Sequence, residues 1–260
     1  MNYTSRFGNF LLRIFPVAIV LFYTSACAVK PVSDLDSPEY HHKAGMRHVE
    51  IGQYNEALAS FNRAIDLDKK FAPAYAGMGI AHANLKNRKD AKKFANKAEG
   101  LAGKDPDVLT LCARVWIDLR HQEKKWYKDA EKLLKKALKR KKNHEGATYY
   151  TGELYLYQYE FNQAEDQFRK VVEMKGEYSG EADKMWQMSQ KIVRAMPGTL
   201  VGKKVALHEE ITRADLSVLL AEELKISTLI ERQTTPSSGF QTPEEMRAAN
   251  APAGGPSDSK

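Results

Sequence analysis

The feature that most constrains this chain is a set of small and large side chains that returns at a fixed spacing. A small residue stands at Gly45, Gly79, Ala113 and Gly152, which are separated by 34, 34 and 39 residues. Four further rows are separated by 34, 39 and 34 residues: Tyr54, Arg88, Tyr127 and Phe161; Ala57, Ala91, Ala130 and Ala164; Phe61, Ala95, Leu134 and Phe168; Ala64, Ala98, Ala137 and Val171. The five-residue excess lies in one place, around 121–125. A period of this length predicts stacked helical hairpins, with the insertion in one turn.

Each row has a physical role in such a hairpin. A glycine or alanine lets two helices approach closely, and the aromatic residue opens the second helix and fills the hairpin. The second helix of the first repeat carries an apolar stripe at helical spacing: Ala57, Leu58, Phe61, Ala64 and Ile65. Residues 154–161 alternate as a strand would, but the repeat register predicts the end of a helix and a turn there.

The pattern resembles the tetratricopeptide repeat (TPR). In the first copy the residues that follow the family consensus are Gly45, Gly52, Gln53, Tyr54, Asn55, Glu56, Ala57, Phe61 and Ala64. The resemblance covers 38–178, as copies 38–71, 72–105, 106–144 and 145–178. The second copy lacks the usual aromatic residue before its second helix, and the third carries the insertion. The resemblance implies an all-α, TPR-type helical-hairpin solenoid of about four repeats that binds a protein or peptide.

The remaining chain divides into further segments. A stacked array needs a solvating terminal helix, and 179–196 is predicted to be that capping helix, stopped by Pro197 and Gly198. A tail rich in proline and glycine with few apolar residues is expected to be disordered. The predicted domains are 1–26, a signal peptide; 27–37, a tether; 38–178, the TPR array; 179–196, the cap; 197–232, a short helical module; and 233–260, the tail.

The first residues have the layout of a secretory signal peptide: Arg6 and Arg13, then an apolar run, then small residues. Thr24-Ser25-Ala26-Cys27 resembles the bacterial lipobox, although that family usually has a large aliphatic residue in the place of Thr24. The resemblance implies a diacylglycerol thioether on Cys27, cleavage before it and acylation of the new amine, which anchor stably. With Ala28 next, it implies the periplasmic face of the outer membrane. An uncleaved anchor and a plain periplasmic or secreted protein are the alternatives.

The net charge of +7 permits an anionic partner. Ten Lys or Arg and only two acids lie in 124–142. One interpretation is a solvated outer face, and the other is contact with anionic phospholipid, to which each lysine contributes about 1 kcal/mol. The lysines at helical spacing are Lys128, Lys132, Lys135, Lys136 and Lys139. The export signal argues against nucleic acid.

By resemblance to the TPR family, the first helices line a concave groove in which a partner binds. The matching positions mix polar, charged and aromatic side chains, and arginine and aromatic residues are common binding anchors. They are His42, Met46, Glu50, Ile80, Asn84, Thr110, Arg114, Asp118, Tyr149, Glu153 and Tyr157. The Lys/Asn set with which some family members clamp a C-terminal carboxylate is missing. The expected partner is therefore an extended or helical peptide from an envelope protein.

Thr212-Arg213-Ala214-Asp215 and the apolar residues behind it resemble the closing helix of a surface-layer homology (SLH) unit. Thr212 and Asp215 would form a capping box at the helix start. The resemblance implies cell-wall glycan binding at Arg213. The other interpretation is a packed C-terminal helix.

The sequence contains no phosphate loop, no His-Glu-x-x-His and no Gly-x-Ser-x-Gly. His41, His48 and His82 are expected inside the hairpins, where they either bond to backbone and hydroxyl groups or bind a metal. Cys112 is expected to be a small buried hydrophobe without a disulfide.

The chain is thus predicted to be no enzyme and to need no cofactor or metal. It would be a lipid-anchored scaffold in the assembly of an envelope, secretion, pilus or polysaccharide-export machine. The alternative is a structural protein that binds cell-wall or surface polysaccharide.

Overall fold

The computed structural model describes residues 36–195, 197–208, 210–223, 225–226 and 244. The predicted signal peptide, Cys27 and nearly all of the predicted tail lie outside the described residues. Within the described ranges the structure is all helical, with eleven helices and no strand. Among these helices, none has the length and apolar character that crossing a membrane requires.

Eight helices form four consecutive hairpins, and the predicted all-α TPR-type fold is confirmed. The pairs are α1 (Pro38–Glu50) with α2 (Tyr54–Leu67), α3 (Ala72–Asn84) with α4 (Arg88–Ala102), α5 (Pro106–Asp118) with α6 (Trp126–Arg140), and α7 (Glu145–Tyr157) with α8 (Phe161–Met174). They are followed by α9 (Ser179–Ala195), α10 (Leu200–Val205) and α11 (Arg213–Glu222). Along the array α1 packs against α3, α3 against α5, and α5 against α7.

The described residues fall into two compact units. One contains the described residues up to Gln158 together with Gln163–Trp186. The other contains Tyr159–Asn162 and the described residues from Gln187 on.

Local sequence signals set the helix boundaries. The Ser37 side chain caps α1 by accepting a hydrogen bond from the Tyr40 backbone N–H at 3.1 Å, as its position before Pro38 predicts. The Asp105 side chain caps α5 in the same way. The hairpin turns after α1 and α3 contain a left-handed residue, Gly52 with φ +76° and Lys86 with φ +62°. Only glycine adopts that conformation without steric cost.

The repeated rows form the core. Phe61 is fully buried, and a Cβ built on Gly45 or on Gly77 would lie 2.5 Å from Phe61 Cε1. The fourth repeat uses the same pair, because a Cβ on Gly152 would lie 2.7 Å from Phe168 Cε1. Glycine is therefore required where a phenylalanine ring fills the space between helices, which explains why the two residue types return together.

The insertion lies where the repeat spacing predicts. Seven residues, 119–125, join α5 to α6, whereas three join α1 to α2 and α3 to α4. The segment is held against the previous hairpin, because Glu123 Oε2 accepts from Lys92 Nζ at 2.7 Å and Gln122 Nε2 donates to the Ala83 carbonyl at 3.2 Å. The extra turn is thus an ordered part of the array.

In the second unit, one carboxylate joins α10 and α11 by accepting hydrogen bonds. Glu223 accepts from the backbone N–H of Gly198 and Thr199 and from the Thr199 hydroxyl, at 3.1, 2.8 and 2.6 Å. The predicted capping box at the start of α11 is confirmed, since Thr212 and Asp215 each bond to the other's backbone N–H. The segment around Arg213 is therefore a helix start.

Candidate functional site

Polar side chains from three adjacent repeats lie in the C-terminal halves of their first helices or just after them. Asn84 and Asp118 lie 34 positions apart in the sequence, at the C-terminal ends of α3 and α5. Asn84 Nδ2 donates to Asp118 Oδ2 at 3.1 Å and to the Ile80 carbonyl at 3.0 Å, while Asn84 Oδ1 accepts from the Tyr54 hydroxyl at 3.4 Å. Two residues that are one repeat apart in the sequence are thus in direct side-chain contact between consecutive hairpins.

Two arginines flank this contact, and each lies over a tyrosine. Arg114 Nε is 4.0 Å from Asp118 Oδ2, and the Arg114 guanidinium carbon is 5.7 Å from the centre of the Tyr150 ring. Arg120, just after α5, lies 4.2 Å from the centre of the Tyr157 ring. Such cation–π contacts hold a guanidinium in place without neutralising it. We call Asn84, Arg114, Asp118, Arg120, Glu153 and Tyr157 the polar cluster.

Glu153 on α7 is the most perturbed acid of the polar cluster. Burial, with a smaller contribution from the charge of Asp118, raises the pKa of Glu153 to about 7, although Arg114 and Arg120 act in the opposite direction. The Tyr149 hydroxyl donates to Glu153 Oε1 at 3.4 Å. Near neutral pH the carboxyl group therefore changes its charge within the partly buried cluster.

The other titratable groups of the cluster respond to the same burial. Burial raises the pKa of Asp118, and the charge of Arg114 and the hydrogen bond from Asn84 oppose that shift. Burial raises the pKa of Tyr157 to about 12, so its hydroxyl stays protonated. The cluster can thus offer guanidinium donors, carboxylate acceptors and phenol groups to a partner.

The remaining predicted groove positions lie elsewhere on the first helices. His42, Met46 and Glu50 are on α1, where the His42 ring lies 5.8 Å from the Phe61 ring and 6.0 Å from the Phe71 ring. Burial lowers the pKa of His42 to about 4, so the imidazole is neutral. Ile80 is buried, and the Thr110 hydroxyl donates to the Pro106 carbonyl at 2.7 Å within its own helix.

Sequence reasoning missed three residues of this region: Arg120, Tyr150 and Tyr178. Arg120 stands one repeat after Lys86, so the 34-residue spacing could have indicated a basic residue at this position. The Tyr178 ring lies 5.1 Å from that of Tyr149 and 5.9 Å from that of Tyr150. Tyr178 stands at the position that Phe71 holds after the first repeat, so the repeat register carried a signal for this residue as well.

Two lysines of the predicted patch form ion pairs with glutamates. Lys135 Nζ is 2.9 Å from Glu131 Oε1, and Lys136 Nζ is 3.1 Å from Glu99 Oε1 on α4. Lys128, Lys132 and Lys139 are exposed on α6.

Arg213 is exposed at the first position of α11, and glycan binding there remains a prediction.

His48 and His82 each contact a neighbouring side chain, and the described cysteine lies in the core. His48 Nδ1 is 2.8 Å from Gln53 Oε1, and the His82 ring stacks on that of Phe94 at 5.3 Å. Cys112 is buried, and burial raises the pKa of its thiol to about 12. Across the described part of the chain, no three His, Cys, Asp or Glu side chains are grouped as metal ligands.

Comparison with known proteins agrees with this geometry. Residues 45–86 match the TPR repeat family. TTC0263, a thermophilic TPR protein of Thermus thermophilus, is 14% identical with a TM-score of 0.51, over 75% of this chain and 96% of its own. YrrB, a TPR protein with an unusual peptide-binding site, is 19% identical with a TM-score of 0.38, over 71% and 93% of the two chains. None of the curated proteins matches this sequence.

The family match covers the region from Gly45 in α1 to the turn after α3, and the likeness to TTC0263 covers 75% of the chain with the same fold. The chain therefore carries a TPR repeat at 45–86 and has the fold of a TPR solenoid.

Proposed function

We propose that this protein is a non-enzymatic scaffold that holds a protein or peptide partner at the polar cluster. The observation that carries the proposal is the hydrogen bond between Asn84 and Asp118 of two consecutive first helices, together with the charges of Asp118 and Arg114 acting on Glu153 of the next first helix. Arg114 and Asp118 have side chains that are 19% and 20% exposed. Partly desolvated charges interact more strongly than fully solvated ones, yet these remain reachable by a partner.

The chemistry of the cluster suits a peptide that brings both charge and apolar surface. Arg120 and Tyr157 present a guanidinium stacked on a ring, and such residues are frequent energetic centres of interfaces. Asp118 and Glu153 can accept from backbone or side-chain N–H groups of the partner. Because the cluster spans three hairpins, a segment of several residues could contact all of it.

Photo-crosslinking in intact cells tests this site. A photoreactive phenylalanine at Tyr157 should give a discrete adduct with a partner, whereas the same probe at Asn62, exposed on α2, should not. Replacing Arg120 with alanine should weaken the Tyr157 adduct without lowering the thermal midpoint by more than a few degrees. Equal adducts from both probe positions, or none from Tyr157, would refute the assignment.

We further propose that a lipid on Cys27 holds the scaffold at the periplasmic face of the outer membrane. There it would take part in the assembly of an envelope, secretion, pilus or polysaccharide-export machine. Support comes from the Thr24-Ser25-Ala26-Cys27 sequence and the basic and apolar segment before it.

Metabolic labelling with a fatty-acid probe tests the anchor. The wild type and a Cys112→Ala control should incorporate the label, and Cys27→Ser should not. A Cys27→Ser protein that still carries the label would contradict the anchor while leaving the binding site untouched.

A further inference from the structure

The positive charge of this chain is concentrated in its middle. Residues 86–142 contain 19 Lys or Arg and 8 Asp or Glu, a net charge of +11. The whole chain carries +7, so the remaining residues carry −4. The excess lies in the second and third repeats and not over the whole surface.

The repeat register shows where this charge falls. The core residues Ala91 and Ala130 are equivalent, so Lys89 and Lys93 on α4 correspond to Lys128 and Lys132 on α6. The first repeat has Asn55 and Ala59 at these two positions, and the fourth has Asn162 and Asp166. The lysine rows are therefore confined to two consecutive second helices.

These two helices are neighbours whose side chains interact. Lys136 Nζ on α6 is 3.1 Å from Glu99 Oε1 on α4, and Lys92 on α4 bonds to Glu123 in the segment before α6. These ion pairs occupy lysines at the boundary between the helices. Five exposed lysines of these two helices, which we call the lysine face, are Lys89, Lys93, Lys128, Lys132 and Lys139.

We propose that the lysine face binds the surface of an anionic phospholipid bilayer. Lysine is depleted at protein–protein interfaces, which use buried aromatic and arginine anchors. The charges of the lysine face are exposed ammonium groups, one of which, Lys93, lies 5.4 Å from the centre of the Phe94 ring. An ammonium is a compact, strongly hydrated charge, which suits diffuse attraction to many head groups. Each lysine near an anionic surface raises the affinity about fivefold, and the free-energy contributions of the five lysines add.

This surface is separate from the polar cluster. The lysine face belongs to the second helices α4 and α6, whereas the cluster belongs to the first helices and the residue after α5. Bilayer binding therefore neither requires nor excludes a partner at the cluster. It also acts independently of the lipid proposed on Cys27.

Vesicle co-sedimentation of the full chain with Cys27→Ser tests the proposal. One set of vesicles is pure phosphatidylcholine, and the other contains about one third phosphatidylglycerol, so that apolar insertion is common to both. We expect clear preference for the anionic vesicles, falling as salt rises because the charges are exposed. Lys128→Glu with Lys132→Glu should lose at least about tenfold of that affinity.

The matched control is Lys170→Glu with Lys184→Glu, two exposed lysines outside the lysine face that give the same change in net charge. This variant should stay within about threefold of the parent. Equal losses in the two variants would overturn the proposal, because net charge and not the lysine face would then set the affinity. No preference for anionic vesicles would also overturn it. Lys128→Gln with Lys132→Gln provides a milder test if charge reversal lowers the thermal midpoint.

Discussion

Glu153 should make the stability of the array depend on pH. Its folded pKa is raised from 4.5 to about 7, chiefly by burial. A shift of this size corresponds to about 3 kcal/mol between the protonated and ionised forms. Because the folded pKa is the higher one, the contribution of protonated Glu153 is fully present below the unfolded pKa and is lost as pH rises through the folded pKa.

The substitution Glu153→Gln isolates this effect, because glutamine keeps the shape of the side chain and does not ionise. The free energies of unfolding of the wild type and the variant should be similar near pH 4. Near pH 8 the variant should be relatively more stable by about 2 to 3 kcal/mol.

Urea unfolding followed by circular dichroism across this pH range measures that difference directly. Glu50→Gln, at an exposed site on α1, is the control substitution of the same type. If the difference between Glu153→Gln and the wild type were independent of pH, the raised pKa and its cause would be refuted.

Three further substitutions test the packing by thermal or urea unfolding. Lys86→Gly should raise the free energy of unfolding by about 1 kcal/mol, because Lys86 has φ +62°; an unchanged value would contradict this. Phe61→Ala should lower it by about 3 to 5 kcal/mol because the ring is fully buried, and a loss below about 1 kcal/mol would argue against that packing. His144→Ala should lower it by about 1 to 2 kcal/mol, because the ring caps α7 through the Ala147 N–H and bonds to Asp107; no loss would exclude the cap.

The repeat rows predicted the helical hairpins because the same packing requirement determines the sequence pattern and the contacts between helices. A small residue at Gly45 or Gly152 is needed wherever a phenylalanine lies between helices, so the pair is visible in the sequence at a fixed spacing. The insertion was equally visible, since a hairpin turn can lengthen without moving the core rows. The capping box at Thr212 followed from local hydrogen-bonding chemistry alone.

The side-chain contacts of the candidate site could not be predicted in the same way. A period of 34 residues indicates which helix face a residue occupies, but the rotamer decides which neighbour it meets. Arg120 lies over Tyr157, and Lys136 reaches Glu99 on another hairpin. The raised pKa of Glu153 depends on burial by several helices together, which no local pattern encodes.

A double-mutant cycle between Asn84 and Asp118 tests most directly whether equivalent positions of successive repeats lie side by side. The four proteins are the wild type, Asn84→Ala, Asp118→Ala and the double variant, each measured by urea unfolding. The 3.1 Å hydrogen bond between the two side chains predicts a coupling free energy of about 1 kcal/mol or more. A coupling below about 0.3 kcal/mol would mean that the hairpins do not stack in this register.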